Sequence, residues 1–299
     1  MSVRSTLALT ALVTLTAPAG AQASPWATLA LPQGVLASAL DGQGKLVTYR
    51  DGTTLHVFSS VTRRWHATSV SATADVRLFN DCLLVVEPGY CRAFASHADA
   101  FVDVPRGPGA SVLNDGSHKN DSIVLVADNG LLRAFSGFTG AWTTRALGAN
   151  WAADVQRHVA VLADGGTLAG MSAFGGGWHD LPIAGTAAWL TADGSTALAT
   201  EGAWVHGFSA HTSTWSSAPA IPSATFVRGD DWGLFYGSGR VLAYSGLRGS
   251  FAAIEHTVTG VAGASGEGVA ECAELLVELM TSACSRSCPS QRASRRGPR

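Results

Sequence analysis

Aromatic residues recur along this chain in pairs whose members are seven positions apart, and the pairs return about every 37 residues. The first members, two of which are methionine, are Phe58, Phe94, Phe135, Met171, Phe208, Tyr244 and Met280. The second members are Trp65, Phe101, Trp142, Trp178, Trp215 and Phe251. A period of this length is typical of a repeat architecture, in which every repeat is one small unit of secondary structure.

One repeat contains four short runs of residues that favour β-strands. Between residues 74 and 106 the runs are Ala74–Phe79, Cys82–Val86, Tyr90–Ala95 and Ala100–Val104. None has a helical period, and turn residues separate them. The low charged fraction of 14% and the 34 glycines also suit an all-β chain. We therefore predict an all-β protein, a β-propeller whose blades have four antiparallel strands.

The turns of the repeat have a regular chemistry. The second turn combines an acid with glycine, as in Asp51-Gly52, because tight hairpins require positive φ angles. The third strand ends in Phe-Ser-x-x-Thr-x-x-Trp or a variant, for example from Phe135 to Trp142. We expect the serine and threonine to bond their own backbone in the third turn, and the aromatics to pack between blades.

This repeat resembles the Kelch motif, which has an aromatic residue, a threonine in the turn, and tryptophan at the same offset. The resemblance covers nearly the whole mature chain. It departs from the motif at the Kelch glycine doublet, for which Gly165-Gly166 is the nearest match. The resemblance implies a Kelch-like propeller, a fold that commonly binds a protein or glycan partner. Kelch-like oxidases imply the alternative of an enzyme with its site at the axis.

Six repeats are complete, and a fragment remains at each end. Residues 24–31 read like a fourth strand, and Trp26 precedes Trp65 by close to one period. Residues 260–280 read like strands one to three. Together the fragments make a seventh blade, in which the N-terminal strand closes the ring and removes the free sheet edges. Six blades are the alternative.

Both ends of the chain differ from the repeats. Arg4, the apolar run from Leu7 to Thr16 and Ala21-Gln22-Ala23 predict a signal peptide over residues 1–23, so we expect a secreted or periplasmic protein. The propeller then spans residues 24–281. Residues 282–299 carry five arginines and no acid, and we expect a disordered basic tail.

The remaining body of the chain is acidic. Without Arg4 and the tail arginines it has 14 basic residues against 22 acidic ones. This balance argues against nucleic acid and anionic membranes as partners, and we expect a monomer. Disulfides are not expected to hold the fold: if Glu87 pairs with Tyr90, Cys91 lies opposite Val86, too far from Cys82 to bridge.

Sequence motifs of catalysis are lacking. The chain has no Gly-x-Ser-x-Gly elbow, no phosphate loop and no HExxH, and its nine histidines lack metal-ligand spacing. We therefore predict a non-catalytic binding protein that needs no cofactor. An axial enzyme would need metal ligands or paired acids on the inner strands, where Asp75 and Asp154 are the carboxylates at equivalent positions.

Five acids occupy equivalent second turns and form the first candidate site. They are Asp51, Glu87, Asp128, Asp164 and Glu201. In a ring they would share one face and create a circle of negative charge that attracts a cationic ligand or a basic protein patch. The alternative is that the acids serve only the turns and are solvated.

The longest departure from the period is an insertion at residues 114–121, between the first two strands of the third repeat. Asp115, Asn120 and Asp121 could offer oxygen ligands to calcium, although their spacing lacks the EF-hand pattern. A loop that lengthens one repeat alone is a common place for function, and the topology puts it on the face opposite the acids. The alternative is a surface turn.

Overall fold

The computed structural model describes residues 35–114, 120–255, 261–264 and 267–270. A 3-10 turn at Ala37–Ala39 precedes the first strand. The strands of the first three sheets are β1 (Asp41–Gln43), β2 (Leu46–Asp51), β3 (Thr54–Ser59), β4 (Arg64–Ser69), β5 (Asp75–Leu78), β6 (Cys82–Val86), β7 (Tyr90–Ala95), β8 (Ala100–Pro105), β9 (Ser111–Val112), β10 (Ile123–Asp128), β11 (Leu131–Ser136) and β12 (Trp142–Ala146).

The strands that follow are again grouped in fours, and a short hairpin completes the described chain. They are β13 (Trp151–Gln156), β14 (Val159–Asp164), β15 (Thr167–Ser172), β16 (Trp178–Pro182), β17 (Trp189–Asp193), β18 (Thr196–Glu201), β19 (Trp204–Ser209), β20 (Thr214–Pro219), β21 (Thr225–Gly229), β22 (Trp232–Gly237), β23 (Arg240–Ser245), β24 (Ser250–Glu255), β25 (Val261–Ala264) and β26 (Glu267–Ala270). Each group of four forms one antiparallel sheet whose strand order follows the chain.

Six such sheets in succession confirm the all-β prediction and give the architecture of a six-bladed β-propeller. We number the blades one to six along the chain. Strands β25 and β26 pair antiparallel where the first two strands of a seventh blade were predicted. The other predicted strands of that blade, residues 24–31 and 275–280, lie outside the described residues, as do the predicted signal peptide and the basic tail.

The aromatic pairs of the sequence are cross-strand neighbours between the third and fourth strands of every blade. Phe58 lies opposite Trp65, and Phe135 opposite Trp142. The ring centroids in these two pairs are 5.4 and 5.2 Å apart, which is the tilted contact that aromatic quadrupoles favour. The spacing of seven residues therefore arises from one hairpin, in which the two residues face each other on strands joined by a short turn.

Aromatic residues also join neighbouring blades, as predicted. The Phe208 ring covers Gly170 of the preceding blade so closely that a Cβ there would lie 2.4 Å from the ring. At the outer strand, the indole Nε1 of Trp142 donates to the carbonyl of Val102 in the preceding blade at 3.1 Å. Contacts of both kinds lock consecutive blades at their centres and at their rims.

Cys82 and Cys91 are buried and free, and Cys91 pairs with Val86 as the sequence predicted. Burial raises the pKa of both thiols, so they behave as small apolar side chains of the core.

The blade topology creates two different faces of the ring. One face carries the turns between the second and third strands together with the linkers between blades, and we call it the acidic-turn face. The other carries the inner turns, between the first and second strands, and the outer turns, between the third and fourth. We call it the aromatic-turn face.

On the aromatic-turn face, backbone hydrogen bonds connect the turns of successive blades around the axis. In blades one to five the inner turn donates to the inner turn of the next blade, as Lys45 does to Asn80 at 2.8 Å and Ser195 to Asp230 at 2.8 Å. Each outer turn also donates to the inner turn of its own blade, as Ala173 does to His158 at 2.9 Å. Serine hydroxyls add a third link, since Ser172 Oγ donates to the carbonyl of Ala210 at 2.6 Å.

Candidate functional site

On the acidic-turn face, the predicted acids reach towards the linker that enters their own blade. Glu87 Oε1 accepts the Ser71 amide at 2.7 Å, and its Oε2 accepts the Ser71 hydroxyl at 2.5 Å. Asp164 Oδ2 accepts the Gly148 amide at 2.8 Å. The same acid thus caps the linker in successive blades, a role that turn chemistry alone did not indicate.

Asp128 is the most heavily engaged acid. Its Oδ2 accepts the Gly107 amide at 3.1 Å and a hydrogen bond from Arg133 Nη1 at 2.5 Å. Burial alone raises the pKa of this carboxyl, but the bonds from Arg133 and Gly107 outweigh burial and hold the pKa below its usual range. The charge is therefore neutralised inside the protein.

The other acids divide between buried and exposed positions. Glu201 is buried, and its carboxylate lies 3.7 Å from Nε2 of His206, whose pKa burial lowers. Glu87 is buried too, whereas Asp51 is exposed at its turn. The five acids share one face as predicted, but three of them are buried within it, and their role in binding stays a prediction.

The insertion lies on the opposite face, in the inner turn of blade three. Asp121 is buried: Oδ1 accepts the Arg157 amide at 2.8 Å and Oδ2 accepts Asn114 Nδ2 at 2.7 Å. The Asn114 side chain also bonds Ile123 and Leu125, which replaces the strand pairing that two-residue β9 lacks. Asn120 is exposed, and Asp115 lies outside the described residues. The calcium hypothesis is untested at Asp115.

The two inner-strand acids are not equivalent. Asp75 lies opposite Val86, the last residue of its second strand, whereas Asp154 lies opposite Val161 in the middle of β14. The prediction of equivalence was wrong because Asp154 lies two positions nearer than Asp75 to the inner end of a strand with the same register. Asp154 Oδ2 instead accepts the Ala192 amide of the next blade at 2.8 Å. In the described ranges, no group of three or more possible ligands could hold a metal ion.

The outer turns place one residue per blade at the same position, the third after the aromatic of the third strand. We call these six residues the turn ring. They are Val61, His97, Phe138, Phe174, His211 and Leu247. The amide of the residue before each of them donates to an inner-turn carbonyl, which fixes the turn over its own blade.

The turn ring is unusually apolar for an exposed position. Five large hydrophobic side chains are exposed in the described part of the chain, and three of them, Val61, Phe174 and Leu247, belong to the ring. Phe174 is 38% exposed. The ring therefore concentrates accessible apolar surface on one face, which is typical of a binding surface rather than of scattered exposed residues.

Ring stacking connects four members across blades two to five. His97 stacks on Phe138 at a centroid distance of 4.3 Å, and Phe174 stacks on His211 at 5.3 Å. Phe138 and Phe174 meet edge to face at 4.9 Å, and His158 of the inner turn lies 5.0 Å from Phe174. These contacts form a continuous row of flat side chains.

Beneath one end of this row lies a buried polar cluster around Asp81. Lys45 Nζ is 2.6 Å from Asp81 Oδ1, and the Ser122 hydroxyl donates to Oδ2. Burial raises the pKa of Asp81, but the bonds from Lys45 and Ser122 outweigh it, so the pKa lies below its usual range. Ser122 also lies 3.1 Å from His158 Nδ1, and burial lowers the pKa of that imidazole.

A second cluster joins Asp231, Ser195 and His211. The Ser195 hydroxyl donates to Asp231 Oδ1 and lies 2.9 Å from His211 Nε2. A catalytic triad puts the histidine between the serine and the acid, whereas here the serine contacts both partners. Serine, histidine and aspartate are the residues of a hydrolytic triad, but here Ser195 fixes the side chains of Asp231 and His211.

Sequence reasoning missed the turn ring because its six residues share no single chemical type. The signal was present in the second variable position of Phe-Ser-x-x-Thr, where large flat or apolar residues recur at a turn that needs none of them. The serine before it behaves as predicted, since Ser136 Oγ accepts the Thr139 amide at 3.1 Å.

No protein-family model and no curated protein matches the chain, so the resemblance to Kelch repeats is not supported by these comparisons. Similar solved structures include AztD from Citrobacter koseri, at 10% identity over 81% of each chain with a TM-score of 0.34. Hsv2p from Kluyveromyces lactis has 10% identity, covers 74% of this chain and 84% of its own, and has a TM-score of 0.29.

BamB from Moraxella catarrhalis has 11% identity, covers 71% of this chain and 73% of its own, and has a TM-score of 0.28. With scores this low, the fold assignment rests on the six four-stranded sheets themselves. Within the described ranges, no helix has the length and apolar character needed to cross a membrane.

Proposed function

We propose that this protein is a non-catalytic propeller that binds a partner protein through the turn ring. The observation that carries the proposal is the concentration of Val61, Phe174 and Leu247 at one equivalent turn position. Exposed apolar side chains on a rigid ring gain free energy when a partner removes them from water. The flat rings between them suit the aromatic contacts that dominate protein interfaces.

The rigidity of the aromatic-turn face supports the same function. Three sets of hydrogen bonds fix the outer turns to the inner turns and to the next blade. A partner therefore meets a preformed surface and does not have to order its loops on binding. A protein partner is favoured over a glycan because aliphatic residues, Val61 and Leu247, complete the ring.

The partner is unidentified, so the test uses peptides selected from a random phage-displayed library on immobilised protein. We expect selected peptides to lose binding to Phe174→Ser and to Leu247→Ser. Trp204→Ser is the matched control, because Trp204 is a hydrophobic residue that is 47% exposed on the acidic-turn face. Peptides that bind both ring variants normally but fail on Trp204→Ser would contradict the proposal, and so would peptides displaced by glycans alone.

Export from the cytoplasm belongs to the same proposal, since Arg4, the apolar run and Ala21-Gln22-Ala23 have the order of a secretory signal. N-terminal sequencing of the native protein is expected to begin at Ser24. A native protein that starts at Met1 would contradict export by this signal.

Ring closure by a seventh blade is also proposed, with six blades as the alternative. The β25–β26 hairpin occurs where its first two strands were predicted. We expect deletion of residues 24–34 to lower the melting temperature strongly, whereas deletion of residues 282–299 leaves it unchanged. Equal melting of both truncations and the full chain would favour six blades.

Two further hypotheses keep their own tests. An acidic ring that recruits a basic partner would bind more weakly as salt rises, because exposed charges are screened over about 10 Å at 0.1 M salt. Asp51 is the exposed acid on which that hypothesis relies most. An axial enzyme that uses a metal would contain it stoichiometrically in purified protein, which elemental analysis tests directly.

A further inference from the structure

Two carboxylates stand at equivalent inner turns of the aromatic-turn face, Asp81 in blade two and Asp231 in blade six. The side chain of Asp81 is fully buried and bonded to Lys45 at 2.6 Å. The same Lys45 Nζ lies 5.3 Å from the centroid of the Phe138 ring. At this position the ammonium group of Lys45 therefore contacts both the Asp81 carboxylate and the Phe138 ring.

Asp231 has similar neighbours but a different exposure. Its side chain is 44% exposed, and His211 Nε2 lies 3.7 Å from Oδ1. The Ser195 hydroxyl also donates to Oδ1, so within the described residues both contacts use one oxygen of the carboxylate. The contact with His211, followed by the hydrogen bond from Ser195, lowers the pKa of Asp231, so the group is ionised at neutral pH.

An exposed flat surface adjoins this carboxylate. His211 stacks on Phe174 at 5.3 Å with an angle of 24° between the planes, and Phe174 is itself 38% exposed. A side chain that lies on these rings can reach Asp231, because His211 contacts both Phe174 and the carboxylate.

We propose that Phe174, His211 and Asp231 form a site for an arginine side chain of the partner protein. A guanidinium group is planar and cationic, so it stacks on aromatic faces and donates to a carboxylate at the same time. Lys45 illustrates the same combination inside the chain. This inference rests on the proposed function, since it names one contact of the partner that the turn ring binds.

The test uses N-acetyl-arginine amide as the probe, with the full-length protein and NMR signals of the histidine rings. N-acetyl-citrulline amide is the neutral control of the same shape, and N-acetyl-lysine amide tests an ammonium group. We expect saturable shifts of the His211 ring with arginine and no saturation with citrulline.

Two variants locate the effect. Asp231→Asn is expected to weaken arginine binding at least about fivefold, since it removes the charge that pairs with the probe. Asp180→Asn is the control, because Asp180 is an exposed aspartate on β16 that pairs with Arg145. Citrulline shifts equal to those of arginine, arginine binding that survives Asp231→Asn, or lysine binding tighter than arginine would overturn the proposal. If selected peptides still require Phe174 in that case, the proposed function stands and the arginine site alone fails.

Discussion

The two faces of the ring use their turn residues in opposite ways. On the acidic-turn face, charged side chains turn inwards: Glu87 and Asp128 are buried and cap the linkers of their blades. On the aromatic-turn face, the backbone and the serines hold the turns together, as Ser172 does, and the side chain of Phe174 extends into solvent. At the acid positions the side chain thus holds the linker, whereas at the turn-ring positions serine hydroxyls and the main chain hold the turn.

The difference shows which turn side chains indicate a binding surface. An acid before glycine looks like surface charge in the sequence, yet its carboxylate is needed for the amide of Gly107 or Ser71. Phe174 sits at a turn whose hydrogen bonds do not involve its side chain. An exposed side chain that the fold does not need is the better indicator of a binding surface.

The largest expected effect is on the acidic-turn face. Asp128→Ala leaves Arg133, whose side chain is only 12% exposed, without its carboxylate. Breaking a buried pair in this way costs about 3 kcal/mol of unfolding free energy. Asp51→Ala is the control, and because Asp51 is exposed we expect a change under about 0.5 kcal/mol. Urea denaturation measures both, and a loss for Asp128→Ala as small as that for Asp51→Ala would contradict the capping role.

A smaller effect is expected on the aromatic-turn face. Ser172→Ala removes the hydroxyl that donates to the buried Ala210 carbonyl at 2.6 Å. An unmade buried hydrogen bond costs about 1 to 2 kcal/mol. The loss is expected to be tolerated, because blade two has Ala95 at the position equivalent to Ser172 and still folds. Denaturation of Ser172→Ala beside wild type tests the estimate, and an unchanged midpoint would mean that the main chain alone holds this face.

The smallest stability effect concerns pH and involves both faces. His206 is buried and His158 is half-buried, and burial lowers the pKa of each below that of an unfolded histidine, about 6.5. The unfolded chain therefore takes up protons first as the pH falls below about 6.5, and stability is lost towards acid. We expect His158→Gln to flatten the decline in unfolding free energy between about pH 7.5 and 5.5, and the double variant with His206→Gln to flatten it further. If the unfolding free energy of both variants declines with pH as steeply as that of the wild type, these histidines are not the cause of the acid destabilisation.

Much of the fold could be predicted from the sequence because its signals are local. Phe135 and Trp142 are seven residues apart and face each other across one hairpin, and Asp51-Gly52 forms a turn with positive φ at Gly52. The site could not be predicted in the same way. The bond between Asp231 and Ser195 and the stack of Phe174 on His211 depend on how neighbouring blades are oriented, which no single repeat encodes.

The equivalence of Asp75 and Asp154 failed because the two acids lie at different distances from the aromatic position of their blades. Asp75 is 19 residues before Phe94 and Asp154 is 17 residues before Met171, whereas the strand register is the same in both blades. The seventh blade stays a prediction, because residues 24–31 lie outside the described residues.

The most direct test of the contrast between the faces is the affinity of one selected peptide for three proteins. These are wild type, Phe174→Ser, and the double variant Asp51→Asn with Asp164→Asn. If the turn ring is the binding surface, Phe174→Ser weakens the affinity at least about tenfold, as expected for an aromatic hot spot. The acidic-turn variant then binds within about twofold of wild type, since rim charges contribute little to affinity. The reverse pattern, with normal binding by Phe174→Ser and a salt-dependent loss in the double variant, would contradict the account and assign recognition to the acids.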